Sequence, residues 1–546
     1  MTNVLKRSDY ILLSDRSFRA PDGDRYRFGF ASRTAKMFRL READAESFDA
    51  GRLDDLHPEL VQELTEIEAL VSTSEDELGE LTRRRRARST GARLRRLVFL
   101  PTSYCNMGCA YCGQEHTKTP VERRRVQQKI DRAVAALADP ETTALHVAWF
   151  GGEPLLALRV IREISAAVLP EAERLGKPYS ADVVTNGSLL THRVLRELYD
   201  DCAIRWLEVT IDGPREVHDE RRAMRNGAGT FDKIVDLIGE VIAAGSYPEL
   251  TFGIRTNVDN QNEDRVAELI TELARRGLAS PRVILKPAPV HSWGNDVADR
   301  ELKRSEYARR ELEWAALAAS LGMTLPATLP LRPRAATCIA TSRSSEVVDS
   351  AGRVYSCTEH PLVPVDSVRG QVASLDLLPV DQRRPEGAFD SWYDEVRAGQ
   401  WPCATCPFMP VCGAAAPSCG KRASCPAPAT SSPGGSGSTT PRSPVDLSRM
   451  AELRLAPYAS WAPSRRAWSC RWAPGTRPPP GPRRARSATT CWPARREATR
   501  PSSAATPPAP GWPGGWPSGA SSPSSPAAPT TRRPAWGSTA AASWPS

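Results

Sequence analysis

The sequence predicts an α/β protein built around a partial (β/α)6 barrel of the TIM type, with a small α+β region before the barrel and a loop-rich region after it. Three observations predict this organisation. β-rich runs alternate with amphipathic helical stretches between about residues 94 and 290. Most of the 13 cysteines fall in two groups, at 105–112 and 403–425. The composition changes abruptly near residue 426. Alternating strands and helices are typical of βαβ units and a parallel sheet.

Six strands and five helices are predicted in the barrel, which we assign to residues 91–300. In such folds the active site lies at the carboxyl ends of the strands. The strands are expected at 97–100, 145–150, 181–185, 206–212, 251–258 and 283–285, and the helices at 126–137, 157–169, 193–199, 231–244 and 263–276.

Residues 1–90 form a separate N-terminal region in this prediction. Apolar runs such as 10–13 precede an acidic helical stretch at 56–81. An arginine run at 83–86 follows, and we interpret it as a solvated linker, with a peptide or nucleic-acid contact as the alternative.

Charge and hydropathy limit the class of protein. The formal net charge is +9, but the tail after Cys425 carries 15 arginines and three acids. Net charge therefore gives no reason to expect nucleic-acid binding. No apolar run reaches the ~18–20 residues that span a membrane, and the N-terminus lacks the apolar core of a secretory signal. We expect a cytoplasmic protein with no membrane or nucleic-acid partner.

The tail, 426–546, has an unusual composition. It holds 24 of the 48 prolines and eight of the 14 tryptophans, but no Lys, Ile, Phe, Asn, Gln or His. Disorder accounts for Pro, Ser and Gly, whereas GC-rich DNA read in a shifted frame accounts for the whole pattern. The sequence therefore predicts a disordered, frameshifted tail.

Three cysteines form a C-x3-C-x2-C motif, with Cys105, Cys109 and Cys112 in the run PTSYCNMGCAYC at 101–112. Thiolates are the usual ligands of iron–sulfur clusters, and three of them leave one iron of a 4Fe-4S cluster open. A zinc site completed by His116 and buried structural cysteines are the alternatives.

A second motif, Gly151-Gly152-Glu153-Pro154, follows the strand predicted at 145–150. Glycines allow the backbone to approach a ligand closely, and Glu153 can accept hydrogen bonds from an ammonium group. Further motifs lie at later strand ends, namely TNGSLL at 185–190, TIDGP at 210–214, HD at 218–219 and NGAGTFD at 226–232.

In this order the motifs resemble the radical S-adenosylmethionine (radical SAM) superfamily, in particular its SPASM-domain subgroup of peptide and protein maturases, which is related to the sulfatase-maturating enzymes. The resemblance implies that the three cysteines bind a 4Fe-4S cluster and that S-adenosylmethionine is cleaved to a hydrogen-abstracting 5′-deoxyadenosyl radical. It implies no catalytic residue beyond the cluster and cofactor ligands. Asn186 and Thr210 have ordinary turn or strand-end roles as the alternative. The implied cofactor-binding residues are Tyr111, Gly151, Gly152, Glu153, Asn186 and Thr210.

The subgroup's cysteine pattern extends into residues 301–425, which we expect to be a SPASM-like, loop-rich iron–sulfur domain with up to two auxiliary clusters. The pattern requires another cysteine where Ala416 stands, and restoring one nucleotide near codons 413–416 is compatible with its return. In that case Cys419 and Cys425 are accidental, while Cys202 is predicted to be a packed core cysteine. The implied auxiliary ligands are Cys338, Cys357, Cys403, Cys406 and Cys412.

The resemblance implies an oxidoreductase-type maturase of a ribosomally synthesised peptide, with a peptide or protein substrate and a reductant such as flavodoxin or ferredoxin. Residues 1–90 resemble a leader-recognition region that adds a peptide as a strand to a sheet, with a simple cap on the barrel as the alternative. A sulfatase-type maturase is less expected, because Thr358 stands where those relatives place an Asp. An inactive, frameshifted pseudo-enzyme is the third hypothesis.

Overall fold

The computed structural model describes residues 4–20, 23–292, 297–326, 332–334 and 338–412. The predicted frameshifted tail, together with Ala416, Cys419 and Cys425, lies outside the described residues. Within those ranges, no helix is both long and apolar enough to cross a lipid bilayer.

The N-terminal region contains two small antiparallel sheets and three helices. One sheet pairs β1 with β6, and in the other β4 is flanked by β2 and β3 along one edge and by β5 along the other. The elements are β1 (Leu5–Arg7), β2 (Ile11–Leu13), β3 (Phe18–Arg19), β4 (Arg25–Ala31), β5 (Lys36–Arg41), α1 (Glu42–Asp49), α2 (Pro58–Glu66), β6 (Leu70–Ser72) and α3 (Glu77–Thr90).

Two predictions for this region are wrong. The helix expected over 56–81 is interrupted by β6, since Glu68 takes a left-handed φ of 55° and Leu70 turns into a buried strand. The arginine run is not a solvated linker, because it lies within α3. Arg85 is buried there and donates hydrogen bonds to the carbonyls of Pro410 and Cys412, at 2.8 and 3.1 Å.

Six parallel strands follow in sequential order and confirm the predicted partial barrel. Among the described strands β12 pairs only with β11, and an isolated parallel bridge from Ile284 to Thr324 is its one further backbone pairing, so no other strand closes the sheet at that edge. The strands are β7 (Leu94–Phe99), β8 (Ala144–Trp149), β9 (Tyr179–Thr185), β10 (Ile204–Thr210), β11 (Thr251–Val258) and β12 (Val283–Pro289), with helices α4 (Arg123–Ala138), α5 (Leu158–Arg174), α6 (His192–Arg196), α7 (Arg215–Arg221), α8 (Phe231–Ala243), α9 (Val266–Leu273) and α10 (Arg304–Ser320).

The main hydrophobic core lies between this sheet and its helices. Alternate strand residues face it, as with Leu207 and Val209 of β10, and the intervening Glu208 and Thr210 therefore face the inner side of the sheet. Cys202 is fully buried in the same core, which confirms its predicted packing role.

The region after residue 300 continues the barrel's sheet. Strand β13 pairs in parallel with β7, and β14 and β15 add to it in antiparallel order. Arg132 of α4 binds both carboxylate oxygens of Glu346 at 2.6 Å, and both residues are buried. The predicted boundary at 300 therefore falls within a continuous sheet. The elements are β13 (Ser345–Val348), β14 (Arg353–Tyr355), α11 (Pro364–Ser367), β15 (Gln371–Ser374) and α12 (Trp392–Arg397).

Candidate functional site

The C-x3-C-x2-C loop begins a few residues after β7, at the carboxyl edge of the sheet. Cys105 is buried, and Cys109 and Cys112 are partly exposed. The chain after α7 holds this loop through its backbone. The amide of Gly108 donates to the carbonyl of Ala223 at 3.3 Å. The three thiols therefore lie on a loop whose path is fixed at both its strand and its far side.

The two glycines of the second motif allow two loops to pack together. A Cβ atom on Gly152 would lie 2.4 Å from the carbonyl oxygen of Tyr104, and one on Gly151 would lie 2.9 Å from that of Thr102. Gly151 also has a φ of +125°, which disfavours any side chain. The amide of Glu153 then donates to the Tyr104 carbonyl at 2.9 Å. The motif is therefore in direct backbone contact with the cysteine loop.

The Glu153 carboxylate is fully buried and has three protein donors. They are the hydroxyl of Thr185 at 2.7 Å, the amide of Asn186 at 2.7 Å and the amide of Leu155 at 3.0 Å. Burial raises the pKa of Glu153, while these donors and the charge of Arg222 oppose the rise. In this structure the carboxylate fixes the end of β9.

Asn186 lies beside the first cysteine. Its Nδ2 group is 3.7 Å from Cys105 Sγ and donates to Asn106 Oδ1 at 2.9 Å, and its Oδ1 accepts from Ser188. Burial raises the pKa of the Cys105 thiol, and the Asn186 donor opposes this. The structure therefore brings the predicted Asn186 to the cysteine loop. Thr210 ends β10 at the same edge of the sheet, in register with Arg255 of β11.

Tyr111, between the second and third cysteines, belongs to a buried polar network that sequence reasoning missed. Its hydroxyl donates to Asp212 Oδ2 at 2.5 Å and accepts from the guanidinium of Arg222 and from Asn257 Nδ2 at 3.1 Å. The nearby His218 bonds to Thr230 at 2.9 Å. Asp212 and His218 lie in motifs noted in the sequence, whereas no sequence signal separates Arg222 from the exposed arginines.

His116 remains close to the third cysteine. Its Nε2 is 3.7 Å from Cys112 Sγ and its Nδ1 is 3.2 Å from the carbonyl oxygen of Ser103. Burial lowers the pKa of His116. In the part of the chain that the structure describes, no three Cys, His, Asp or Glu side chains converge as a preformed metal site.

The residues present nevertheless fit an iron–sulfur cluster in their chemistry. Three thiols on one loop supply soft ligands, and the Nε–H of Arg222 is a buried donor that has no acceptor among the described residues. A buried cationic group that donates to the tyrosine between two of these cysteines suits an anionic ligand.

The auxiliary cysteines form two separate groups. Cys338 and Cys357 pack together with Phe389. Burial raises the pKa of Cys357, and Glu359 and Cys338 add to the rise. The pKa of Glu359 itself is raised by burial, against the opposing charge of Arg255.

The second group, Cys403, Cys406 and Cys412, lies against the N-terminal region. Burial and the neighbouring Cys412 and Cys406 raise the pKa of Cys403 to about 12. Phe408, from the same segment, packs on Phe30 of β4, and the hydroxyl of Ser32 donates to the Pro407 carbonyl at 2.5 Å. Together with Arg85, these contacts join two regions that the sequence analysis treated separately.

The central part of the chain is similar to known proteins. Residues 99–273 match the family model described as the radical SAM superfamily. A serine-type anaerobic sulfatase-maturating enzyme of Bacteroides thetaiotaomicron is 28% identical over 144 residues, which cover 24% of this chain and 32% of that protein. The uncharacterized protein sll1766 of Synechocystis is 28% identical over 141 residues, covering 24% and 34%. The chain thus matches about a third of the length of these curated relatives.

Solved structures with a similar arrangement include native anSMEcpe with bound AdoMet, at 17% identity and a TM-score of 0.46, covering 59% of this chain and 88% of that one. Streptococcus suis SuiB bound to the precursor peptide SuiA matches at 13% identity and a TM-score of 0.38, covering 75% and 95%.

Proposed function

We propose that the protein reductively cleaves S-adenosylmethionine and abstracts hydrogen from a peptide or protein, maturing a ribosomally synthesised peptide, because residues 99–273 match the radical SAM superfamily model. One observation carries the proposal. The cysteine loop, the Gly-Gly-Glu-Pro turn and Asn186 converge at one edge of the sheet, through the 2.9 Å bond from Glu153 to Tyr104 and the 3.7 Å contact of Asn186 with Cys105.

In this proposal, Cys105, Cys109 and Cys112 hold a 4Fe-4S cluster beside bound S-adenosylmethionine. Together the two groups supply the hydrogen-abstracting chemistry. The protein residues provide position. Glu153 fixes the end of β9, which carries Asn186, and the Tyr111 hydroxyl ties the cysteine loop to Asp212 on the strand-end loop after β10.

The inner face of the sheet offers a polar surface for a substrate. Lys286 of β12 pairs with Glu208 of β10, whose other oxygen is 3.8 Å from Arg255. His146 of β8 bonds to Asp182 of β9 at 2.9 Å. Charged and hydrogen-bonding groups of this kind suit a peptide better than an apolar substrate.

The N-terminal region supports recognition of an extended peptide segment. Among the described strands β5 pairs only with β4, so its other edge has unpaired backbone groups. Lys36, Arg39 and Arg41 along β5 are exposed, and the rings of Phe18 and Phe28 on the same sheet stack at 4.1 Å. An acidic leader segment with apolar side chains could add to this edge as a strand.

Two other functions make different predictions. A sulfatase-type maturase oxidises a Cys or Ser side chain of its protein substrate. Thr358 follows Cys357 in this chain, and Glu359 stands one position later with a carboxyl group near Arg255. A pseudo-enzyme binds peptide and cluster without turnover.

The test uses the full chain, reconstituted with iron and sulfide under anaerobic conditions and reduced with dithionite. Short peptides encoded beside the gene, a sulfatase-type peptide containing Cys or Ser, and a scrambled control are incubated with S-adenosylmethionine and examined by mass spectrometry. We expect a mass change only in a peptide encoded beside the gene. Oxidation of the sulfatase-type peptide would favour the sulfatase-type maturase. If no reaction forms 5′-deoxyadenosine, the pseudo-enzyme is favoured.

A further inference from the structure

Arg222 is a buried cation at the proposed cluster site. It follows the last residue of α7, and its side chain is 8% exposed. Its Nη1 donates to the hydroxyl of Tyr111 and lies 3.5 Å from Asp212 Oδ2. Asp212 also accepts from the Tyr111 hydroxyl and from the amide of Asn257, so its own charge is stabilised by other donors. The guanidinium is therefore held rigidly behind the cysteine loop.

The electrostatics couple this guanidinium to the thiols. Burial alone would lower the pKa of Arg222, but Tyr111, Cys109 and Asp212 outweigh it and raise the pKa. In turn, the charge of Arg222 opposes the burial that raises the pKa of Cys112. A fixed cation in a site of low polarity interacts strongly with neighbouring negative charge.

One donor of Arg222 has no use within the described protein. Its Nε–H is buried and lacks a hydrogen-bond acceptor among the described residues. Buried donors are normally satisfied. Arg7, Arg95 and Arg221 have the same unsatisfied Nε–H among the described residues, but the guanidinium of Arg222 is the one that donates to Tyr111 in the cysteine loop. An anion would satisfy the Nε–H of Arg222, and it could be a sulfur of the cluster or the carboxylate of the cofactor.

We propose that Arg222 is a positioning residue whose fixed charge stabilises the reduced, more negative form of the cluster held by Cys105, Cys109 and Cys112, and so makes the cluster easier to reduce. The inference rests on the proposed function, because it requires the cluster. It assigns the orphaned donor to the cluster rather than to the cofactor.

The test is a redox titration of the reconstituted full chain without S-adenosylmethionine, followed by electron paramagnetic resonance of the reduced cluster. The resonance signal must come only from the cluster held by the Cys105 loop. Every protein compared therefore also carries Cys338→Ala and Cys403→Ala, which remove the signals of auxiliary clusters. The variants compared are Arg222→Gln, Arg222→Lys and Arg221→Gln. Arg221 is the matched control, since its side chain is 9% exposed and its Nε–H also lacks an acceptor among the described residues, but a bidentate pair with Asp259 at 2.9 Å neutralises its charge.

We expect Arg222→Gln to lower the ratio of reduced to oxidised cluster about tenfold at the parent's midpoint, a shift of about 59 mV to more negative potential for a one-electron couple. Arg222→Lys retains the charge and should stay close to the parent, and Arg221→Gln should not shift. An unchanged midpoint in Arg222→Gln, or an equal shift in Arg221→Gln, would overturn the inference. If Arg222→Gln takes up no cluster, Arg222→Lys decides, and a tenfold change in that variant would overturn it.

A second arm separates the two acceptors. Binding of S-adenosylmethionine to the oxidised cluster is measured by isothermal titration in the same variants. If Arg222→Gln binds S-adenosylmethionine more weakly but keeps the parent's midpoint potential, the donor belongs to the cofactor carboxylate. That result would overturn this inference and leave the proposed function intact. A parent protein with no 4Fe-4S spectrum would overturn the proposed function, and this inference with it.

Discussion

The two cysteine regions of this chain are built in different ways. The first occupies one loop after β7, and backbone bonds from the 151–153 turn and from 223–225 hold it. The auxiliary cysteines come from separate segments, around 338, around 357 and between 403 and 412. Their surroundings include the N-terminal region, which is more than 300 residues away in sequence.

This difference explains why the spacing of the cysteines predicts the first site and only part of the second. In the first, the ligands and the neighbours that hold them lie in short motifs at successive strand ends. In the second, the contacts that hold the cysteines come from Arg85, Phe30 and Ser32. Nothing in the cysteine spacing points to those residues.

The largest effect is expected where the barrel meets the later strands. Glu346→Ala removes the carboxylate that Arg132 and Arg95 share and leaves two buried guanidinium groups without their ion-pair partner. Breaking a buried ion pair typically costs about 3–5 kcal/mol of unfolding free energy. Denaturant unfolding of the full chain measures the change. Asp376→Asn, which removes an exposed partner of Arg124 and Arg125, is the control and should change stability little. An equal loss of unfolding free energy in the two variants would show that the buried pair contributes no more to stability than the exposed one.

The next prediction concerns the turn that meets the first cysteine loop. Glu153→Ala removes the buried acceptor that holds Thr185 and the Asn186 amide, and with it the carboxylate proposed to accept from the ammonium of S-adenosylmethionine. A hydrogen bond to a charged group contributes about 1.5–3 kcal/mol, so we expect the affinity for S-adenosylmethionine to fall roughly 10- to 150-fold. Iron content should stay nearly intact, because the cysteines remain. Isothermal titration that shows unchanged affinity would remove Glu153 from the site.

Arg85→Gln should affect only the second cysteine region. The carbonyls of Pro410 and Cys412 lose a buried donor, which should lower the free energy of unfolding by about 1–3 kcal/mol. We expect less iron at the auxiliary cysteines and unchanged S-adenosylmethionine cleavage without substrate. Arg86→Gln, from the same helix, removes an exposed ion pair with Asp394 and serves as the control. Identical iron content in both variants would contradict a structural role for Arg85.

The smallest effect is expected from restoring the reading frame near the auxiliary cysteines. Restoring one nucleotide near codons 413–416 should add the missing cysteines and allow about three 4Fe-4S clusters, near 12 iron atoms. The chain as written should bind fewer auxiliary irons, with the first cluster unaffected. Equal iron content and equal oxygen tolerance in the two proteins would show that the missing cysteines do not matter. An unshifted frame in relatives with the same tail would also defeat the idea.

The barrel was predictable because its strands and helices have strong periodicity. The strand predicted at 251–258 coincides with β11, and the others differ by a few residues at their ends. Strands β1, β3 to β6 and β13 to β15 were not predicted individually. Most of them are short, and β1 and β13 form through pairing with strands distant in sequence. In the site, Asn186 was found through its motif. Arg222 was missed because a buried arginine cannot be distinguished from an exposed one by sequence alone.

Formation of 5′-deoxyadenosine tests the central claim most directly. The full chain, reconstituted anaerobically and reduced, is compared with Cys105→Ala, Cys109→Ala and Cys112→Ala, and with Cys338→Ala as the matched control. The account predicts that the parent and Cys338→Ala cleave S-adenosylmethionine, while each of the other three variants does not, because the open-iron cluster needs all three thiolates. Unchanged cleavage in any of those three variants would contradict it.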